Sequence, residues 1–137
     1  MKKQKICVIG DGLSGLTAAL VLSNLDIDVD FITKNKQEKK INDPRITAIS
    51  PTNFKFLNKY LDKKDTKLFW PCKKINLFYE KINQLYNFIN FSEDQKNLLY
   101  IIKNNDLKKI FLKKIKRKKN IKIINNEVNK VDTKNSC

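Results

Sequence analysis

Histidine is absent from this 137-residue chain. That excludes the commonest zinc ligand and any catalytic triad built on an imidazole base. The three cysteines, Cys7, Cys72 and Cys137, follow no metal-ligand spacing, and a reducing, cytoplasmic setting is the simplest reading of them. Long apolar runs are missing too. No stretch approaches the roughly 20 residues that cross a bilayer, and Met1-Lys2-Lys3 leads into a strand pattern rather than a signal peptide.

Arginine is almost as scarce as histidine: of 29 basic residues, only Arg45 and Arg117 are arginine. The net charge of +15 would ordinarily point to nucleic acid or an anionic membrane. Basic residues chosen for phosphate recognition favour the planar fork of arginine, however, and here lysine is abundant together with asparagine and isoleucine. All three share A/T-rich codons, so biased coding accounts for them jointly. The charge then reads as solvated surface lysine, which argues against nucleic acid as the partner. A chain of this length makes one domain, and with 41% hydrophobic residues it is globular rather than disordered.

Glycine occurs three times, and all three fall within Gly10-Asp11-Gly12-Leu13-Ser14-Gly15. Glycine costs backbone entropy, so such concentration asks for a local geometric reason. The dinucleotide fingerprint supplies one. Its first glycine makes a tight turn, its second lets the backbone approach a pyrophosphate, and its third lets a helix pack close to a sheet. The flanks agree with it. Lys5–Ile9 reads as a short buried parallel strand, and Leu13–Leu25 as a helix with Leu16, Ala19, Leu20 and Ser23 on one face. Ile27–Ile32 alternates apolar and acidic residues as a second strand. Asp26 stands where a helix-ending glycine is usual, and Asp tolerates the left-handed conformation better than most residues. The helix start offers free N–H groups and a positive dipole end to a diphosphate. One position departs from the fingerprint: Thr33 occupies the place of the acid that would bind the adenosine ribose.

Beyond it, residues 34–44 form a polar loop, and Ser50-Pro51 starts a helix with Phe54, Leu57 and Leu61 on its apolar face. Lys74–Tyr79 and Leu85–Phe91 alternate as a hairpin or meander, and Leu98–Ile102 is a further strand. Asn104–Lys118 is a basic helix with Leu107, Ile110, Phe111 and Ile115 on one face, expected to pack on a sheet while its lysines stay in water. Ile121–Ile124 is a buried-strand pattern, and Glu127–Val131 begins another strand. The expected class is α/β: a Rossmann-like fold, incomplete, with a parallel sheet, helices and a small β-meander.

The glycine cluster together with Asp43-Pro44-Arg45-Ile46-Thr47-Ala48-Ile49-Ser50 resembles the flavoprotein aromatic hydroxylases. The closest resemblance is to the ubiquinone-biosynthesis hydroxylases, which carry a D-x-R-x-x-A-[LI]-S segment there. Trp70–Ile75 and Tyr100–Leu107 extend the match over essentially the whole chain. The resemblance implies FAD as cofactor, NAD(P)H as reductant and hydroxylation of a polyprenylated phenol, with peripheral contact to the membrane's inner face. By position, Gly10, Gly12, Leu13, Ser14 and Gly15 would cradle the FAD diphosphate, and Thr33 would meet the ribose. Arg45 would add a cation near the nucleotide, Val128 would meet the adenine, and Asn104 is retained from a Glu-Asn-Arg run that is otherwise lost here. It assigns no catalytic residue. It also implies that residues 1–137 are the N-terminal portion of an FAD-binding domain, because the family's Asp-Gly segment, substrate-covering sheet and Gly-Asp segment are missing. Little or no turnover is expected of the chain alone. Two other readings stay open: a different FAD- or NAD(P)-binding oxidoreductase, and a small basic module for RNA or a membrane surface.

Overall fold

The computed structural model describes residues 3–34, 43–92 and 96–131. The chain divides into two compact units, one formed by Met1–Asp43 with Asn104–Cys137 and the other by Pro44–Lys103. The expected polar loop at residues 34–44 falls largely outside the described residues, as does Cys137.

In the first unit, strand β1 (Lys5–Ile9), helix α1 (Leu13–Leu22) and strand β2 (Asp28–Thr33) follow in the anticipated order. Helix α4 (Asn104–Ile115) and strand β8 (Ile121–Asn125) complete the unit. The three strands form one parallel sheet in the order β1-β2-β8. Central β2 alternates strictly, with Val29, Phe31 and Thr33 buried and the intervening residues half-exposed. The predicted helical stripe is the buried one: Leu16, Ala19, Leu20 and Ser23 all lie inside. Opposite them Leu107, Ile110, Phe111 and Ile115 of α4 are buried, and α4 lies against α1. The apolar stripe expected of α4 is thus the buried one.

Two expectations need correction. Strand β1 is parallel as anticipated but not buried; Cys7 and Ile9, which share one face, are exposed, and Ile6 and Val8 on the other face are half-buried. Glu127–Val131 forms no strand, having no pairing partner among the described residues. Asp26 does not use the left-handed conformation: among the described residues, the non-glycine residues with positive φ are Ile82 and Asn83. Helix α1 instead ends in right-handed conformation at Ser23, whose hydroxyl donates to the Leu20 carbonyl at 2.7 Å. Asn120 does the work that a glycine cap would otherwise do. Its side-chain amide donates to the carbonyls of Ser23 (3.0 Å) and Ile27 (2.9 Å), while its own carbonyl accepts from Val29 N–H at 2.8 Å. One side chain thus ties the α1–β2 turn to the entry of β8.

The second unit starts with β3 (Ile46–Ile49), α2 (Pro51–Asn58) and a single turn, α3 (Lys63–Thr66). Strands β4 (Trp70–Cys72), β5 (Lys74–Lys81), β6 (Gln84–Ser92) and β7 (Leu99–Lys103) follow. Ser50 caps α2 as anticipated, its hydroxyl oxygen accepting from Asn53 N–H at 3.3 Å, with Pro51 in the first turn. Strand β7 is central to an antiparallel sheet, β3-β7-β4. Ile49, Leu57, Phe69 and Ile102 fill its core, and the Phe54 ring stacks on Tyr100 with centroids 3.8 Å apart.

Strands β5 and β6 form the expected hairpin as a separate two-stranded sheet. Ile75, Leu77 and Tyr79 share one face of β5, opposite Phe91, Ile89 and Tyr86. A register shift after Leu77 leaves Phe88 as an extra residue and keeps Tyr86 paired with Tyr79, their rings stacked at 5.2 Å. The bulge thereby preserves an apolar face, although its members remain partly exposed. The turn is strained: Ile82 holds φ 51 and Asn83 φ 57, and a β-branched side chain tolerates that region poorly.

Two outcomes follow from these contacts. Asn120→Leu should lower unfolding free energy by about 1–3 kcal/mol in urea titration, since it leaves two carbonyls without their donor. Ile82→Asn should relieve the turn and slow amide exchange across residues 74–92 about fivefold, with little change elsewhere.

Candidate dinucleotide site

Strand β1 delivers the chain to Gly10, whose N–H donates to the Ile32 carbonyl at 2.8 Å and so still belongs to the sheet. There the backbone reverses, with Gly10 at φ +103, a conformation L side chains rarely adopt. Gly12 is the N-cap of α1, extended at φ −67 and ψ 167, and its carbonyl accepts from Leu16 N–H at 3.0 Å. No side chain caps the helix at this residue and no acid stands in its first turn. The opening amides of α1, including those of Leu13, Ser14 and Gly15, lie ahead of the first intrahelical bond and carry the positive end of the helix dipole.

The three glycines do different things. A Cβ on Gly15 would lie 2.1 Å from the Gly10 carbonyl oxygen, so glycine is what lets α1 pack against the end of β1. Cβ atoms on Gly10 or Gly12 would meet nothing within 4 Å. Both residues are exposed, as is Ser14, so the corner is open to a guest. A space that a Cβ would partly fill, beside free amides, fits the diphosphate of a dinucleotide.

Most of the other predicted residues border the same sheet edge. Thr33 ends β2 beside Gly10 and is buried, and its carbonyl accepts from Asn126 N–H at 3.0 Å. Val128 is half-buried beyond the end of β8, where its neighbour Glu127 forms an ion pair with Lys34. These positions all follow carboxyl ends of parallel strands, where open α/β sheets bind ligands. Asn104 opens α4 and its side chain donates to Asp43 at 3.5 Å. Arg45 belongs to the second unit, exposed just ahead of β3.

One pair went unread in the sequence. Lys108 Nζ of α4 lies 3.1 Å from the Asp11 carboxylate, inside the glycine loop. Ninety-seven positions separate the two, so no spacing rule joins them. Only the packing of α4 beside α1 does.

No family model and no curated protein sequence matches the chain. Solved structures do. The p-nitrophenol 4-monooxygenase PnpA from Pseudomonas putida DLL-E4 is 18% identical with a TM-score of 0.70, over 94% of this chain and 34% of that one. PqsL of P. aeruginosa, in complex with 2-aminobenzoylacetate, is 15% identical with a TM-score of 0.70, over 89% of this chain and 33% of its own. CtdE, in complex with FAD, is 18% identical with a TM-score of 0.60, over 89% and 30%. At these identities the likeness is one of fold. The chain has the mixed α/β architecture found in part of these three structures, and it spans about a third of their length.

The two kinds of glycine are separable by mutation. Gly15→Ala should cost about 1–3 kcal/mol in chemical denaturation, because the new methyl meets backbone. Gly12→Ala should stay within about 0.5 kcal/mol of the parent, since the space is open and the φ is ordinary.

Proposed function

We propose that this chain holds FAD and forms the cofactor-binding part of a flavin-dependent aromatic monooxygenase. One observation carries the reading: the uncapped start of α1, with open space at Gly10 and Gly12, faces outward at the carboxyl edge of a parallel sheet. The fold shared with a p-nitrophenol 4-monooxygenase and with a structure in complex with FAD supports it. In this role the amides of Leu13, Ser14 and Gly15 bind the diphosphate, and the neighbouring Thr33 and Val128 border the nucleoside. Thr33 offers the ribose a neutral hydroxyl in place of a carboxylate, so that contact is weaker than a charge-assisted one. Bound FAD, reduced by NAD(P)H, supplies the oxygen chemistry; the chain's residues bind and orient it.

The substrate in this proposal is a polyprenylated phenol of ubiquinone biosynthesis. Support comes from the resemblance of the Asp43–Ser50 segment, with its Arg45, to the segment those hydroxylases carry. A polyprenyl tail resides in the bilayer, so contact with a membrane surface goes with this reading.

Titration of the purified chain with FAD and with NADH tests the cofactor. FAD should raise the melting temperature and NADH should raise it less. Gly12→Val should weaken FAD binding about tenfold or more, ~1.4 kcal/mol, by filling the open space. A chain whose melting temperature responds to neither dinucleotide would overturn the proposal.

A further inference from the structure

We infer that Lys108 makes the glycine loop fit to receive an anion by offsetting the charge of Asp11, a role that rests on the dinucleotide reading above. Asp11 lies between Gly10 and Gly12, in the loop that a diphosphate would touch. An ionised carboxylate there repels a phosphate a few ångströms away, and partial burial weakens the screening by water. The site therefore contains a charge that opposes its own ligand.

Lys108 answers it from another element. Its Nζ stands 3.1 Å from Asp11 Oδ2, and both side chains are only 26% exposed. The surface pairs differ: the lysines of Lys3–Asp26, Lys5–Asp30 and Lys34–Glu127 are 54, 60 and 72% exposed. Lys108 is also held in place. It follows the buried Leu107 and precedes the buried Ile110 and Phe111, which seat α4 near α1. In a chain crowded with solvated lysines, this one is aimed at the loop. It offsets the Asp11 charge, so the helix dipole and the opening amides attract the diphosphate against a weaker opposing carboxylate.

The offsetting role predicts a particular coupling between the two side chains. FAD affinity of the full chain is measured by flavin fluorescence, and ligand-free melting curves of each variant check folding. Lys108→Met should weaken FAD binding about tenfold, because the cation 3.1 Å from the Asp11 carboxylate is removed. Lys108→Arg keeps the charge and should stay within about threefold of the parent, and Asp11→Asn should bind as tightly or tighter. The double variant Asp11→Asn/Lys108→Met should return to within about threefold of the parent. A double variant as weak as Lys108→Met would overturn the inference, showing that the lysine acts on the ligand and not on Asp11. So would unchanged binding by Lys108→Met. Should the parent bind no FAD, the cofactor reading falls and this inference with it; a parent that binds without the coupling sinks this inference alone.

Discussion

The approach of Gly15 to the Gly10 carbonyl is the contact on which the first unit turns. With no Cβ between them, α1 starts against the end of β1 and covers the sheet from its first turn. That proximity makes the loop short, and a short loop leaves the opening amides of α1 at the sheet's carboxyl edge. Any other residue at Gly15 would push the helix outward and carry the amides with it. The packing requirement and the binding geometry are met by the same missing atom.

The rest of the first unit is built to hold that corner steady. Leu16, Ala19 and Leu20 of α1, Leu107, Ile110 and Phe111 of α4, and Val29 and Phe31 of β2 are all buried, and α1 lies against α4. Ala19 matters by being small, since a larger side chain at that position would separate the layers. Asn120 closes the far end of α1, satisfying two carbonyls at a turn that contains no glycine. A chain this poor in glycine uses a side-chain amide where others use backbone freedom.

The second unit has a different character. Its small core around Phe69, Leu57 and Ile102 is well filled, while the β5–β6 hairpin keeps Leu77, Tyr79, Phe88 and Phe91 in partial contact with water. A two-stranded sheet gains little stability alone, and here ring stacking and a bulge organise one apolar face. Charge divides along the same lines as packing. Most lysines sit in solvent, but Lys108 reaches the loop, so a net positive charge acquires a local meaning at only one edge of the sheet.

Local pattern determined a good deal unaided. Period-two and period-3.6 spacing placed β1, α1, β2, the hairpin, α4 and β8, and the confinement of glycine to residues 10–15 marked the site, because backbone strain and close approach leave a compositional trace. Ser50-Pro51 was legible for the same reason, since capping is chemistry between near neighbours. What the tertiary structure alone decided involves residues far apart in the chain. The exposure of β1 depends on what packs against its faces, and Glu127–Val131 lacks a strand partner however well it alternates. Asn120 bridges to Ser23, and Lys108 bridges to Asp11, across stretches that no periodicity spans. Hydrogen bonds and ion pairs of this kind exist only after two helices and a sheet have been brought together, so they leave no spacing in the sequence to be read.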